Sequence, residues 1–199
     1  YYRTYGITAK VGAMRIMQIM LAKGFGGAER SFVDISNALA SRGHEVVALC
    51  EKRGMAAQHL ETINVELLRV SGAWDPFAKR KLARLIARHR PDIIQAHLAR
   101  AAYFSGTIAA QYRIPSLVKT HNYVDLKYYQ AMDHLVATTQ DQFDYLIGEG
   151  WPETRCSIIP NFTRIPPSAP RTFDAASDDT VRLVAIGRFV GKKGFEDLI

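Results

Sequence analysis

The chain of 199 residues has only two cysteines, Cys50 and Cys156. They form no C-x-x-C pair and no metal-like spacing, so no zinc site is expected. Each flanks an apolar, strand-like run, which fits a buried reduced thiol in a cytosolic protein better than a disulfide. No stretch approaches the roughly 18 to 20 consecutive apolar residues of a membrane-spanning helix. Met14 to Leu21 is too short for a secretory signal, and no small-x-small cleavage pattern follows it. Asp-x-Asp, the carboxylate pair that commonly holds a metal–diphosphate, occurs nowhere. The spacing yields no Ser/His/Asp or Cys/His arrangement for nucleophilic catalysis. Aromatic residues do not interleave with the basic run as they would on a stacking surface, so no nucleic-acid partner is expected. Solenoid-period repeats and low-complexity tracts are also missing. What remains is a cytoplasmic globular chain, either free or resting on the inner face of a membrane.

Hydrophobic residues make up 48% of the sequence. That suffices for one well-buried domain and the start of another. Lys and Arg number 26 against 19 Asp and Glu, a net charge of +7. The excess suits anionic partners: phosphorylated small molecules, polyanions or an anionic membrane.

The chain is organised around Gly24-Phe25-Gly26-Gly27-Ala28-Glu29-Arg30. Arg15 to Leu21 before it has strand length, and Ala28 to Ala40 after it has helical period. Glycines admit a close backbone approach, and the first N–H groups of a helix are unpaired at its positive end. An anionic ligand is favoured there. The loop lacks the full G-x-G-x-x-G spacing and is no Walker A loop, so a bare βα turn fits it equally well.

Further strands are expected at Glu45 to Cys50, Val65 to Val70, Ile93 to Ala96, Ser116 to Lys119, Leu135 to Thr138 and Ser157 to Ile159. Helical patterns over Pro76 to His89, Leu98 to Tyr112 and Gln140 to Glu149 separate most of them, and Gly43 ends the first helix. Alternation of this kind predicts an α/β, Rossmann-like parallel sheet with helices on both faces. Ligands of such sheets bind at the carboxyl ends of the strands, where the Gly26-Gly27 loop, His97 and His121 all fall. Residues 1–13 show neither period and are expected to be an extension. Residues 14–162 form the main domain. Residues 163–180 are a linker containing Pro166, Pro167 and Pro170, followed by Asp174, Asp178 and Asp179. Residues 181–199 start a second α/β domain: Val181 to Ile186 reads as a strand, then Gly187 to Gly194 as a glycine-rich loop, then a helix.

In that second loop Arg188 offers bidentate hydrogen bonds and Lys193 a point charge, which together suit a diphosphate; a solvated basic turn is the alternative. His121, in Lys119-Thr120-His121-Asn122-Tyr123, could donate a hydrogen bond or a proton to a sugar hydroxyl or a phosphate, or be structural. His97 carries the same two readings. Glu29 complements the helix dipole or faces a ligand's hydroxyls. Arg80, Lys81, Arg84 and Arg88 line one helix face opposite Leu82, Leu85 and Ile86, with no acid between Asp75 and Asp92. That basic amphipathic helix either lies against anionic lipid or is a packed surface helix with a solvated face.

Gly26-Gly27-Ala28-Glu29-Arg30 resembles the G-G-A-E loop of family 4 glycosyltransferases. Arg42-Gly43-His44-Glu45-Val46, Thr120-His121 and Pro160-Asn161 agree in order along the chain, and Gly187-Arg188 with Lys193-Gly194 matches the family's G-R-x-x-x-x-K-G. The resemblance spans Met14 to Ile199 and implies a GT-B fold, two Rossmann-like domains around a cleft. It implies retaining, hexosyltransferase-type transfer from a nucleotide sugar to a glycan or lipid-linked acceptor, in cell-envelope or polysaccharide synthesis, with no cofactor and no bound metal. By the family pattern Arg188 and Lys193 hold the donor diphosphate, and Gly26 and Gly27 lie against the donor phosphates. His121 serves at the reacting sugar, and Glu29 and His97 shape the acceptor side. The family's pair of donor-binding glutamates would lie past Ile199, so these 199 residues alone are expected to be inactive or nearly so. Two alternatives stand: a sugar-nucleotide epimerase on the same fold, and a non-catalytic module for anionic lipid or a polyanion. A nicotinamide dehydrogenase fits less well, because the glycine spacing is wrong and Cys50-Glu51 is a poor ribose-binding acid.

Overall fold

The fold described here is a computed structural model. It describes residues 12–72, 75–123, 125–162, 168–169, 183–187, 189, 191 and 194–197. The chain divides into two compact units, Tyr1–Arg164 and Ile165–Ile199.

The first unit alternates strand and helix. In chain order these are β1 (Arg15–Met20), α1 (Gly27–Ser41), β2 (Glu45–Glu51), β3 (Asn64–Leu68), α2 (Pro76–His89), β4 (Ile93–His97) and α3 (Leu98–Tyr112). Then come β5 (Ser116–Lys119), β6 (His134–Ala137), α4 (Gln140–Gly148) and β7 (Cys156–Ile158). The seven strands form one sheet in the order β3-β2-β1-β4-β5-β6-β7, and every pair is parallel. The order reverses at β1, which has β2 on one side and β4 on the other. That switch point opens a crevice at the carboxyl ends of β1 and β4.

Both sheet faces carry helices, unequally. Met17, Ile19, Leu49, Ile94, Ala96 and Val118 meet α2, α3 and α4 in one large core. Met20, Ala48 and Cys50, on the alternate positions, pack against Phe32 and Val33 of α1. A groove of about 450 Å³ remains beside α1, floored by Leu117 and Val136 and edged by Phe162. Cys50 and Cys156 are buried free thiols.

The helix ends follow local chemistry. Asp75 caps α2 by accepting the Ala78 N–H at 2.9 Å, and Pro76 occupies the first turn, where its missing N–H costs nothing. Thr139 caps α4 through Gln142 N–H at 3.2 Å. Gly43, at φ +86°, leaves α1 in the left-handed region. Gly106 lets α3 approach the 129–132 segment: a Cβ there would lie 2.9 Å from the Cβ and carbonyl oxygen of Ala131.

In the second unit the expected strand is not formed over its described part. Leu183, Val184 and Ile186 are exposed and outside any ladder. A strand exists only with a hydrogen-bonded neighbour, and no described residue pairs with them. The expected helix after Gly194 is, over Phe195–Asp197, a short 3₁₀ turn. Most of the expected linker lies outside the described residues.

Candidate functional site at the carboxyl edge of the sheet

Register brings the candidates together. Met20 at the end of β1 pairs with His97 at the end of β4, and His97 pairs with Lys119 at the end of β5. His121 follows two residues after Lys119. The histidines expected on separate strand ends therefore meet: His97 Nδ1 lies 3.3 Å from His121 Nε2, with the ring planes 23° apart.

His97 has no solvent exposure and stands edge-on to Phe32. Its Nε2 lies 2.9 Å from Gln18 Oε1, and Gln18 Nε2 donates to Gln95 Oε1 at 2.8 Å. Gln18 sits in the middle of β1, fully buried. Burial holds His97 neutral, its pKa well below the ordinary value, and the neighbouring His121 and Lys119 push the same way. The His121 pKa is pushed down to about 4, by burial first and then by Lys119. His121 is thus neutral near pH 7 and carries no proton to give as an imidazolium, which narrows the acid role open to it in the sequence. Lys119 is itself buried and its pKa lowered to about 8 by that burial. Its ammonium donates to the carbonyl of Ile159 at 2.8 Å, tying β5 to the chain that leaves β7.

Two residues here hold left-handed backbone without being glycine: Leu98 at φ +67° and His121 at φ +62°. Such a conformation costs on the order of 1–2 kcal/mol for an L-residue. It turns the chain abruptly from β4 into α3 and from β5 into the following loop.

The glycine loop lies at the end of β1. Gly24 and Gly27 are open, with nothing within 4 Å of a built Cβ. Glu29 Oε2 accepts the Gly26 N–H at 2.8 Å. That bond makes the Glu29 carboxylate a brace for the loop that precedes it. Phe25 packs on His59, ring centroids 4.1 Å apart, and the Arg30 guanidinium lies over the Phe25 ring, 5.2 Å from its centroid. Ser31 donates to Asn161 Oδ1 at 2.9 Å, joining α1 to the Pro160-Asn161 segment.

A cavity of about 380 Å³ opens beside this edge, lined by Lys23, His97, Ala99, Arg100 and Asn122 among others. Among the described residues no carboxylate lines it. Lys23, Arg100, Gln18 and Gln95 were not legible as site residues. The one available signal was a lone glutamine inside each of two apolar strands, RIMQIM and IIQAH.

At the end of β2, Glu51 accepts N–H groups from Arg53 and Val70 and pairs with the Arg53 guanidinium. Its carboxylate is occupied within the fold, which counts against a ribose-binding role. Arg80, Lys81, Arg84 and Arg88 are exposed on α2, while Leu82, Leu85 and Ile86 are buried. Arg188 and Lys193 lie outside the described residues. Among the described residues no group of three or more His, Cys, Asp or Glu could hold a metal ion, and no helix is long and apolar enough to cross a membrane.

The family model described as Glycosyltransferase Family 4 matches residues 25–165. The chain is 34% identical over 191 residues to the lipopolysaccharide core biosynthesis glycosyltransferase LpsD of Rhizobium meliloti, covering 94% of this chain and 54% of that protein. It is 30% identical over 183 residues to LpsE of the same organism, covering 87% of this chain and 52% of that one. The chain therefore spans about half the length of the curated relatives it matches. Among solved structures it is similar in fold to Anabaena Alr3699/HepE in complex with UDP and glucose. The TM-score there is 0.59 at 18% identity, over 74% of this chain and 44% of that one.

Proposed function

The chain belongs to Glycosyltransferase Family 4, and on that premise we propose that it serves transfer of a sugar from a nucleotide-sugar donor to a cell-envelope glycan or lipid-linked acceptor. One observation carries the reading: the open glycine loop, His97 and His121 converge on the switch point of the sheet. The names of LpsD and LpsE support a lipopolysaccharide core acceptor, and the UDP and glucose in the HepE complex support a nucleotide-sugar donor. The epimerase alternative is less supported, since the family model and both curated relatives are glycosyltransferases.

In this reading transfer proceeds with retention and without a bound metal. The leaving group is a nucleoside diphosphate, so stabilising the charge that develops on it is the main catalytic demand. By the family motif Arg188 and Lys193 serve as cations for the diphosphate, and the backbone N–H groups of the first turn of α1 favour an anion there. His121 positions the reacting sugar through its hydroxyls. Glu29 acts on the acceptor side indirectly, by bracing the loop. Lys23 and Arg100 give the neighbouring cavity a positive lining, which suits an acceptor carrying phosphate or carboxylate.

The test is a calorimetric screen of nucleoside diphosphate sugars, UDP-glucose first, on protein of the relatives' full length, with Arg188→Ala and Lys193→Ala. Binding of one nucleotide sugar, weakened about tenfold or more in each variant, is the expected result. Absence of binding to any of them sinks the reading and favours the non-catalytic module.

A second element of function rests on α2. Phe77 is 84% exposed and, at 100° per residue, shares a face with Arg80, Lys81, Arg84 and Arg88. An exposed aromatic at the head of a basic stripe suits the interface of an anionic bilayer, where a membrane-bound acceptor would be met.

A further inference from the structure

The buried chain of polar side chains behind His121 has a direction. Gln18 turns its amide nitrogen to Gln95 Oε1, so its oxygen faces His97. That oxygen only accepts, so His97 Nε2 carries the proton. His97 is neutral, which leaves its Nδ1 as an acceptor. The partner of that Nδ1 is His121 Nε2, which must then be the donor.

We infer that Gln95, Gln18 and His97 are positioning residues that hold His121 as its Nε2–H tautomer and leave its Nδ1 as an acceptor only. Among the described residues nothing donates to that Nδ1, and His121 is partly exposed. The group His121 recognises is therefore a hydrogen-bond donor, a sugar hydroxyl, and not the oxygen of a phosphate. A neutral imidazole nitrogen with its lone pair outward repels a phosphate oxygen. Taking up a proton instead would place a second cation beside Lys119 in a buried setting. The same chain explains why a glutamine is tolerated at a fully buried position of the central strand: each of its polar atoms has a partner.

This inference rests on the proposed placing of His121 at the donor sugar, but its test needs no substrate. Long-range proton–nitrogen spectra of the ¹⁵N-labelled chain at neutral pH separate protonated from unprotonated ring nitrogens, and His121→Asn assigns the signal. The expected result is a protonated Nε2 and a bare Nδ1 on His121. Gln18→Met should release the tautomer into a mixture. Gln95→Leu, at the less buried end, provides the same loosening with the smaller risk to folding. Added inorganic phosphate should leave the Nδ1 signal in place. A protonated Nδ1 in the unmodified chain overturns the inference, as does a His121 signal unmoved by both Gln18→Met and Gln95→Leu, or protonation of His121 by phosphate. Failure of the nucleotide-sugar screen with the expected tautomer would instead count against the donor-site reading alone.

Discussion

Gln18 and Gly106 show how single residues set this molecule's limits. Gln18 places a polar amide in the central strand and is accepted because both of its ends are bonded. Gly106 is needed for space, not for its backbone angles. Gly106→Ala would press a methyl against the Ala131 backbone at 2.9 Å, where no flexible side-chain end can yield. We expect it to lower unfolding free energy by about 1–3 kcal/mol, measured by urea denaturation. An unchanged midpoint and slope would show that α3 and the 129–132 segment do not touch as described. Leu98 and His121, in left-handed backbone beside the site, are strained for a reason of geometry: the chain must turn from strand to helix at Leu98 and from strand into a loop at His121.

Among the elements, α2 combines a buried face, a cap and a basic face. Its cap is Asp75, whose carboxylate accepts N–H groups from both Ala78 and Ser71. Asp75→Ala should lower the unfolding midpoint in the same denaturation assay; no loss would mean that the first turn is held by packing alone. The basic face makes a separate prediction. The chain should sediment with vesicles rich in phosphatidylglycerol at low salt and not with neutral vesicles. Each cation near an anionic surface contributes about 1 kcal/mol, so Arg80→Glu with Arg84→Glu should weaken binding at least about tenfold. Equal sedimentation of variant and parent would leave α2 a solvated surface helix.

For the whole molecule, the buried histidines link stability to pH. An unfolded histidine takes up its proton as pH falls through about 6.5, whereas His121 in the fold waits until about 4. Its contribution is therefore complete above about 6.5 and is lost as pH falls towards 4. His97 acts in the same direction. The melting temperature should fall across that window, and fall less steeply in His121→Asn. Carboxylates such as Glu51 titrate alike in both proteins and cancel in the comparison. Parallel profiles for the two proteins would remove His121 from the acid response.

Sequence alone determined the element order of the first unit. Hydrophobic period, glycine and proline placement and cap residues are local properties, and they located α2 and α3 to the residue and most strands to within one. They also placed the glycine loop, His97 and His121 at strand ends, and the family signature marked both glycine-rich loops. Tertiary structure decided the rest. Only the strand order, with β4 beside β1, brings His97 to Met20 and so to His121 and Gln18, from positions far apart in the chain. Only burial in that place makes the histidines neutral, and only the approach of distant segments commits Glu51 to Val70 and Lys119 to Ile159. Residue type states what a side chain is able to bond. Which bond it makes depends on what stands within about 3 Å of it, and the pairing of distant strands sets that.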